Sequence, residues 1–222
     1  MSGISLKRAR RELRSLIQRF ESRRAANAEV RKLTAGKLYE FYVLSRTIEE
    51  LRGRGFNISF SGRILELKQS PGMIQPGDPH FRIHHPASGQ RFNIYTDIEV
   101  GTLGSTISGS RGLCSYHEID IVVVFDGVIG RPSHEEIALG VECKSHAKFT
   151  KSIVKEVLGI KREISFYTHG SMSILAAAAQ QIGPVVPSNP PLEYWLCYAD
   201  PKGNQYRFSP SAFGIEFKNW AP

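Results

Sequence analysis

The chain has 222 residues, of which 41% are hydrophobic and 23% charged, and its formal net charge is +8. These proportions exclude a disordered, fibrous or purely coiled-coil chain and predict a globular protein with a sizeable core. The three cysteines, Cys114, Cys143 and Cys197, follow no pairing pattern, so we expect reduced thiols and a cytoplasmic location. No apolar stretch is long enough to span a bilayer, and we expect no membrane partner.

The positive charge is concentrated at the N-terminus. Residues 1–33 hold ten basic side chains against three acidic ones, a balance of +7, whereas the rest of the chain is almost neutral. A narrow apolar stripe at steps of three and four predicts an amphipathic helix here: Leu6, Ala9, Leu13, Leu16 and Phe20. We expect a basic helical arm whose stripe packs on a helix of this chain, of a second copy or of a partner protein. Its charge favours contact with polyphosphate, a solvated helix face being the alternative.

Residues 34–222 are predicted to form one α/β domain, with a core at about 34–167 and a C-terminal extension at 168–222. A helix is expected to begin after Thr34 as N-cap and to end near Gly53. Alternating apolar residues predict strands at 56–67, 81–83, 92–100, 117–125 and 138–144, and residues 101–115 are expected to form a loop. Further along, we expect helices at 153–167 and 171–182 and a strand at 192–199.

The two most apolar predicted strands contain the charged residues Asp120, Glu142 and Lys144. Asp120 interrupts a run of isoleucines and valines, and Glu142 and Lys144 are two apart, so they share one face of their strand. A hairpin centred near Pro132 without a bulge would place Asp120 opposite Lys144 and Val122 opposite Glu142. The three charged groups would then converge, and paired carboxylates of this kind suit Mg²⁺.

This pattern resembles the PD-(D/E)xK phosphodiesterase superfamily, the restriction-endonuclease-like nucleases. Their motif is an Asp on one strand and Glu-x-Lys on the next, with an acid often supplied by the first core helix. Here Asp120, the run Glu142-Cys143-Lys144 and Glu40 occupy those places. The resemblance implies a mixed central β-sheet flanked by helices, to which this chain adds its basic N-terminal helical arm.

The resemblance also assigns roles to these residues. Asp120, Glu142 and the Cys143 carbonyl would hold Mg²⁺, with Mn²⁺ as the expected substitute, and Glu40 would coordinate a second ion or a metal-bound water. Lys144 would orient or help to deprotonate the attacking water and offset charge on the phosphate. The catalytic set is therefore predicted to be Asp120, Glu142, Lys144 and Glu40.

Other interpretations of these residues remain open. Glu118 lies on the strand of Asp120 and is an alternative ligand. Asp120 and Glu142 could instead form a structural ion pair with Lys144, and Glu40 could be a solvated helix carboxylate. Cys114-x-x-His117 and Cys143-x-x-His146 have zinc-like spacing, but positions three apart in an extended strand point to opposite faces.

The resemblance implies a Mg²⁺-dependent nuclease that hydrolyses phosphodiester bonds, with DNA favoured over RNA as substrate and restriction or anti-phage defence as the expected role. The alternative is a catalytically inactive nucleic-acid-binding or assembly subunit with the same fold. Basic side chains on the arm, in the Gly/Ser-rich loop and around the helix after Lys144 are predicted to contact nucleic acid: Arg10, Arg11, Arg14, Arg111, Lys148, Lys151 and Lys155. Lys161 and Arg162 are expected on the surface of the same helix.

Overall fold

A computed structural model describes residues 6–18, 34–62, 70–109, 112–145 and 148–222. Predictions that concern other positions, among them Phe20, Arg111 and His146, lie outside the described residues. The described helices are α1 (Leu6–Gln18), α2 (Ala35–Gly53), α3 (Leu103–Ser108), α4 (Lys151–Ile164), α5 (Ile174–Ala178) and α6 (Phe208–Ser211). The described strands are β1 (Asn57–Ser61), β2 (His80–His84), β3 (Arg91–Gly101), β4 (Tyr116–Phe125), β5 (Ile137–Lys144), β6 (Phe166–Met172), β7 (Val185–Asn189), β8 (Glu193–Tyr198) and β9 (Ile215–Asn219).

The fold is α/β, with a seven-stranded central sheet flanked by helices. Its strand order is β1-β2-β3-β4-β5-β8-β9, and β6 and β7 form a separate antiparallel pair. Strands β1 to β5 run antiparallel as a meander, while β5, β8 and β9 are parallel neighbours. The parallel step from β5 to β8 needs a crossover connection, and this connection contains α4.

Helix α2 forms as its sequence predicts. The Thr34 side chain accepts a hydrogen bond from the Lys37 amide at 3.3 Å and caps the first turn. After the helix, Gly55 adopts a φ of +92°, a conformation that side chains with a Cβ rarely reach. The apolar face of α2 is buried against one side of the sheet, where Ile83, Val123 and Trp195 belong to the same core cluster.

Helix α4 covers the other side of the sheet. Its buried residues Ile153 and Val157 share a second core cluster with Val122 and Tyr194. The central strands are therefore buried on both faces, which explains their continuous apolar runs. Polar groups in these strands then require hydrogen bonds or a functional reason.

The described part of residues 1–33 is the helix α1, and it packs against α2 of the same chain. On its surface Arg8 donates to Glu12 at 3.0 Å, and the negative charge of Glu12 contributes, after burial, to a raised pKa of Tyr42 on α2. Helix α2 is thus a neighbour of α1 within the chain, and the part of the apolar stripe in this contact stays a prediction. The function of the basic charge on this segment stays a prediction.

Several predicted boundaries were wrong. The segment 101–115 contains helix α3, because the Thr102 side chain accepts from the Ser105 amide and caps a helical turn. Helix α4 ends at Ile164, and Tyr167 lies in β6. The alanine-rich helix is only α5, because Ser171 and Met172 pair with Val186 and Val185 in the small sheet.

Candidate metal centre

Asp120 lies where strands β4 and β5 stop pairing. Their ladder ends at the pair Ile121 and Val141, and beyond it the Asp120 carboxylate accepts the backbone N–H of Cys143 at 2.6 Å. The Asp120 carboxylate thus takes the place that a backbone carbonyl would have as hydrogen-bond acceptor for the Cys143 amide. The register that we predicted from the sequence was wrong by two residues, since Val122 faces Gly140 and not Glu142. An irregularity between Val123 and Val124 accompanies the shift.

Glu142 and Lys144 face the same cleft and form an ion pair. Lys144 Nζ lies 3.2 Å from Glu142 Oε2 and 2.9 Å from Oε1 of Glu156, an exposed residue of α4. Tyr194 on β8 donates its hydroxyl to Glu142 Oε1 at 3.2 Å. Glu142 is only 3% exposed, so these two partners satisfy most of its polar surface.

The position of Tyr194 depends on a glycine. Gly140 pairs with Tyr194 in the parallel β5–β8 ladder, and a Cβ at Gly140 would lie 2.7 Å from the Tyr194 ring. The ring therefore lies directly against the backbone of β5, and its hydroxyl reaches Glu142 two residues further along that strand.

Asp97 is a fully buried carboxylate in β3 that sequence reasoning missed. It lies across from Asp120, between the register pairs Thr96–Ile121 and Ile98–Ile119. Its φ is +53°, which aspartate tolerates better than most residues. An acid inside the apolar run of β3 is the same signal that singled out Asp120, and it could have identified Asp97 as well.

Carboxylate oxygens of Asp97, Glu118 and Asp120 lie within 4.8 Å of one another, close enough to hold one metal ion. Asp97 Oδ2 is buried and has no hydrogen-bond partner in the part of the chain that the structure describes. A buried acceptor without a donor is costly, and a cation would satisfy it. Glu118, which we had kept as an alternative ligand, is therefore part of this cluster.

Helix α2 contributes one cation and one acid to the cluster. Lys37 Nζ lies 2.5 Å from Asp97 Oδ1 and 2.7 Å from Glu40 Oε2. Lys37 and Glu40 are three residues apart and therefore neighbours on the helix surface. Glu40 is thus brought to the cluster and is paired there, which differs from a solvated helix carboxylate.

The crowding of acids raises their affinity for protons. Burial, followed by the negative charge of Asp120, raises the pKa of Glu142 to about 8. Burial raises the pKa of Glu40 to about 7, against the opposing effect of Lys37. The pKa values of Glu118 and Asp120 are also raised, chiefly by burial. These carboxylates outnumber the neighbouring ammonium groups of Lys37 and Lys144, so the set is suited to bind a cation.

Lys144 is held as a cation rather than as a base. Burial alone would lower its pKa, but the charges of Glu142, Glu156 and Asp120 outweigh burial and raise it above the ordinary lysine value. A protonated ammonium can donate hydrogen bonds to a phosphate or to a water molecule but cannot accept a proton. A lysine that stays protonated does not suit the predicted deprotonation of the water, and the orienting and charge-offsetting roles stay predictions.

The acidic cleft, which we define as the cavity between Glu118, Asp120, Glu142, Lys144 and the adjoining face of α4, has a volume of about 650 Å³. Its α4 side carries Lys155, Glu156, Arg162 and Glu163. Of the basic residues expected to contact nucleic acid, Lys155 lines this cleft. Lys148 and Lys151, which are close to Lys155 in the sequence, are exposed. Arg10 and Arg11 are exposed on α1 and Arg14 is half-buried there.

Lys161 does not lie on the surface of α4, so that expectation was wrong. It is 4% exposed and donates to Ser188 Oγ at 3.2 Å and to the Leu192 carbonyl at 3.1 Å. No carboxylate among the described residues pairs with it, and burial lowers its pKa to about 7. The helix turns this position towards the β7–β8 connection, away from the acidic cleft.

Cys143 argues against the zinc alternative. Its side chain packs against the core cluster under α2, and burial raises the pKa of its thiol, whereas zinc binds thiolate. Cys114 is exposed, and the described residues contain no cluster of histidine and cysteine ligands around His117. The Cys143 thiol behaves as a small buried apolar group.

Comparisons of the chain with protein-family models, with curated proteins and with solved structures found no match. Among the described helices, none combines the length and apolar character that crossing a bilayer requires. The geometry of the acidic cleft is therefore the basis for a functional argument.

Proposed function

We propose that this protein is a Mg²⁺-dependent nuclease that hydrolyses phosphodiester bonds of nucleic acid, with DNA as the favoured substrate. The observation that carries the proposal is the acid cluster itself. Asp97, Glu118 and Asp120 meet beside Glu142 and Lys144, and the buried Asp97 Oδ2 lacks a partner among the described residues. Such a site requires a cation and has a protonated lysine at its edge.

The donor set fits a hard divalent cation. All candidate ligand atoms in the cluster are carboxylate oxygens, which Mg²⁺ and Mn²⁺ prefer. Asp97, Glu118 and Asp120 would hold the ion on the strand side, and Glu142 and Glu40 adjoin them. A bound Mg²⁺ would supply Lewis acidity towards a phosphoryl oxygen and towards water.

The protein's own residues then have separate tasks. Lys144 donates hydrogen bonds to a non-bridging phosphate oxygen or to the attacking water, and its charge offsets the negative charge that grows in the transition state. Glu156 and Glu142 hold the Lys144 ammonium from two sides. Glu142 and Glu40, with pKa values of about 8 and 7, can each hold a proton near neutral pH.

The order of elements supports a PD-(D/E)xK-like arrangement. Helix α2 is followed by β1 and β2, then by the antiparallel strands β3, β4 and β5, by α4, and later by β8, which runs parallel to β5. This order is compatible with the helix, strands and helix that the resemblance implies. A role in restriction or anti-phage defence is part of the proposal on the strength of the resemblance alone.

One observation favours a second candidate function. Lys37 already places an ammonium against Asp97 and Glu40, and its single positive charge offsets one of these two negative charges without a metal. A chain that used this internal cation permanently would be a nucleic-acid-binding or assembly subunit without catalysis. Glu142 pairs with Lys144, but no ammonium or guanidinium group among the described residues pairs with Glu118 or Asp120, which is why we place the enzyme first.

The test is cleavage of supercoiled plasmid DNA and of a labelled RNA by the purified chain with Mg²⁺, with Mn²⁺ and with EDTA. We expect metal-dependent cleavage that is lost in Asp120→Asn and in Glu142→Gln. The exposed Glu135→Gln serves as the matched control and should cleave normally. Binding of either nucleic acid without cleavage under all conditions would favour the second candidate.

A further inference from the structure

A second cleft lies on the polar face of strands β1, β2 and β3. Alternate residues of these strands, such as Ile58, Ile83 and Phe92, pack in the core under α2, so the intervening residues face the other way. The register aligns the polar residues in two rows across the sheet: Asn57, His84 and Arg91, then Ser59, Arg82 and Asn93. With the Gln75–Gly77 and Gly127–Ile129 loops they enclose about 650 Å³, which we call the sheet-face cleft.

Two arginines in this cleft are free to bind an anion. Arg82 and Arg91 are exposed, and neither guanidinium has an ion-pair or hydrogen-bond partner among the described residues. Other arginines of the fold, such as Arg54 and Arg131, are bound to carboxylates. Asp126 is the one carboxylate in the described lining of the cleft, and it accepts a hydrogen bond from Asn93 Nδ2 at 2.9 Å.

Asn93 provides an independent sign of a ligand. The residue is 5% exposed and lines the cleft, and its Oδ1 atom is buried without a hydrogen-bond partner among the described residues. Its Nδ2 bond to Asp126 fixes the orientation of the amide. A buried amide oxygen of this kind needs a donor, which an N–H or O–H group of a ligand would supply.

The cleft also contains an aromatic pair. The rings of His80 and Tyr95 lie 5.0 Å apart, and both residues line the cavity. Tyr95 is only 5% exposed, so the half-buried His80 ring is the aromatic surface that a base can reach. This ring, the guanidinium groups and the unpaired acceptor match the base, the phosphate and a hydrogen-bond donor of a nucleotide.

We propose that the sheet-face cleft binds an unpaired nucleic-acid strand, with phosphates at Arg82 and Arg91 and a base or sugar donor at Asn93. This inference rests on the proposed function for the identity of the substrate. It adds a binding surface distinct from the basic arm and from the lysines of α4.

The experiment measures binding in EDTA, so that it is independent of hydrolysis. The probe is a fluorescein-labelled 12-nucleotide single-stranded DNA of mixed sequence, followed by anisotropy at several salt concentrations. The double variant Arg82→Gln/Arg91→Gln is expected to bind at least about tenfold more weakly. Its slope of log affinity against log salt should be shallower by about 1.4, for two lost contacts on single-stranded DNA. The control Lys202→Gln/Arg207→Gln removes the same charge from exposed positions outside the cleft and should change neither quantity.

Asn93→Ala should weaken binding without changing the salt slope, because its contact is neutral. Asp126→Ala breaks the same Asn93–Asp126 bond but keeps Oδ1, and it should bind at least as tightly as wild type. Circular dichroism checks that each variant is folded. Equal binding by wild type and the Arg82/Arg91 variant, or no binding by wild type, would overturn the inference. Normal cleft-dependent binding together with absent plasmid cleavage would refute the nuclease and leave the cleft assignment intact.

Discussion

Lys37 Nζ and Asp97 Oδ1 lie 2.5 Å apart and tie helix α2 to strand β3 at the acid cluster. Asp97 has a second carboxylate oxygen that this lysine leaves without a partner among the described residues. The lysine thus neutralises part of the cluster while one buried oxygen faces the other acids. Because one Asp97 oxygen is paired with Lys37 and the other has no partner among the described residues, Asp97 is the most informative residue for testing the metal site.

We expect Asp97→Asn to raise the Mg²⁺ concentration for half-maximal cleavage at least about tenfold, since an amide is a weaker ligand than a carboxylate. Plasmid cleavage at a series of Mg²⁺ concentrations measures the effect. Glu99→Gln is the matched control, because Glu99 lies two residues further along β3 and pairs with Arg131 at the surface. If the curves of cleavage against Mg²⁺ concentration coincide for Asp97→Asn and wild type, Asp97 is not a metal ligand.

Lys144→Ala should reduce turnover by roughly 10²-fold or more, because the lysine meets charge that develops only in the transition state. Affinity for a labelled oligonucleotide in EDTA should change little. Lys151 is an exposed lysine at the start of α4 and provides the contrast. Its replacement, Lys151→Ala, should alter affinity more than turnover. Normal turnover at saturation with a collapse of affinity would make Lys144 a phosphate anchor only.

Metal binding should be coupled to proton release. Glu40 and Glu142, with pKa values of about 7 and 8, are largely protonated at pH 6 and largely ionised at about pH 9, and only the ionised forms attract a cation. Mg²⁺ affinity should therefore rise between pH 6 and about pH 9 and then level off. Calorimetry at pH 6.5 in two buffers of different ionisation enthalpy measures the protons released, and Glu40→Gln should release fewer. Equal heats in both buffers would contradict the coupling.

The buried amine of Lys161 should make the free energy of unfolding depend on pH. Its pKa is about 7 in the folded chain and near 10.5 when unfolded, so between these values the unfolded chain binds more protons and stability rises with pH. Lys161→Met removes this penalty and should raise the free energy of unfolding by a few kcal/mol at pH 7 and below, with the gain shrinking towards pH 10. The Ser188 hydroxyl, 3.5 Å from the Leu192 carbonyl, can still serve that carbonyl.

Urea unfolding of wild type and Lys161→Met at pH 6, 8 and 10 measures this difference. Lys155→Met, an exposed lysine of the same helix, controls for the general effect of replacing lysine by methionine. A gain in stability that is equal at all three pH values would show that the Lys161 amine keeps an ordinary pKa.

The sequence identified the residues whose signal is local. Asp120 stood out as an acid in an apolar strand, and the two-residue period placed Glu142 and Lys144 on one face. The exact β4–β5 register was missed because the connection is centred between Gly130 and Arg131, as the pair Val124 and Ile137 shows, and not near Pro132. Tyr194 could not be connected with Glu142, since their contact depends on the pairing of two parallel strands separated by a helix and the small sheet.

Asp97 was missed for a different reason. Like Asp120, it is an acid within a predicted strand and could be found from its neighbours in the sequence. The motif of the family that the chain resembles has no acid on this strand, so Asp97 was not singled out. The burial of Lys161 leaves no signal in the sequence. Helical periodicity predicts a surface position beside charged neighbours, and only the packing of the β7–β8 connection reveals that the side chain is buried.

The missing side chain at Gly140 links two distant positions of the sequence. Any larger residue there would push the Tyr194 ring off β5 and draw its hydroxyl away from Glu142. Among homologous sequences, positions 140 and 194 should therefore vary together: an aromatic residue at 194 demands glycine at 140, and a side chain at 140 is compatible only with a smaller residue at 194. The acid at 142 would then have to find another hydrogen-bond donor.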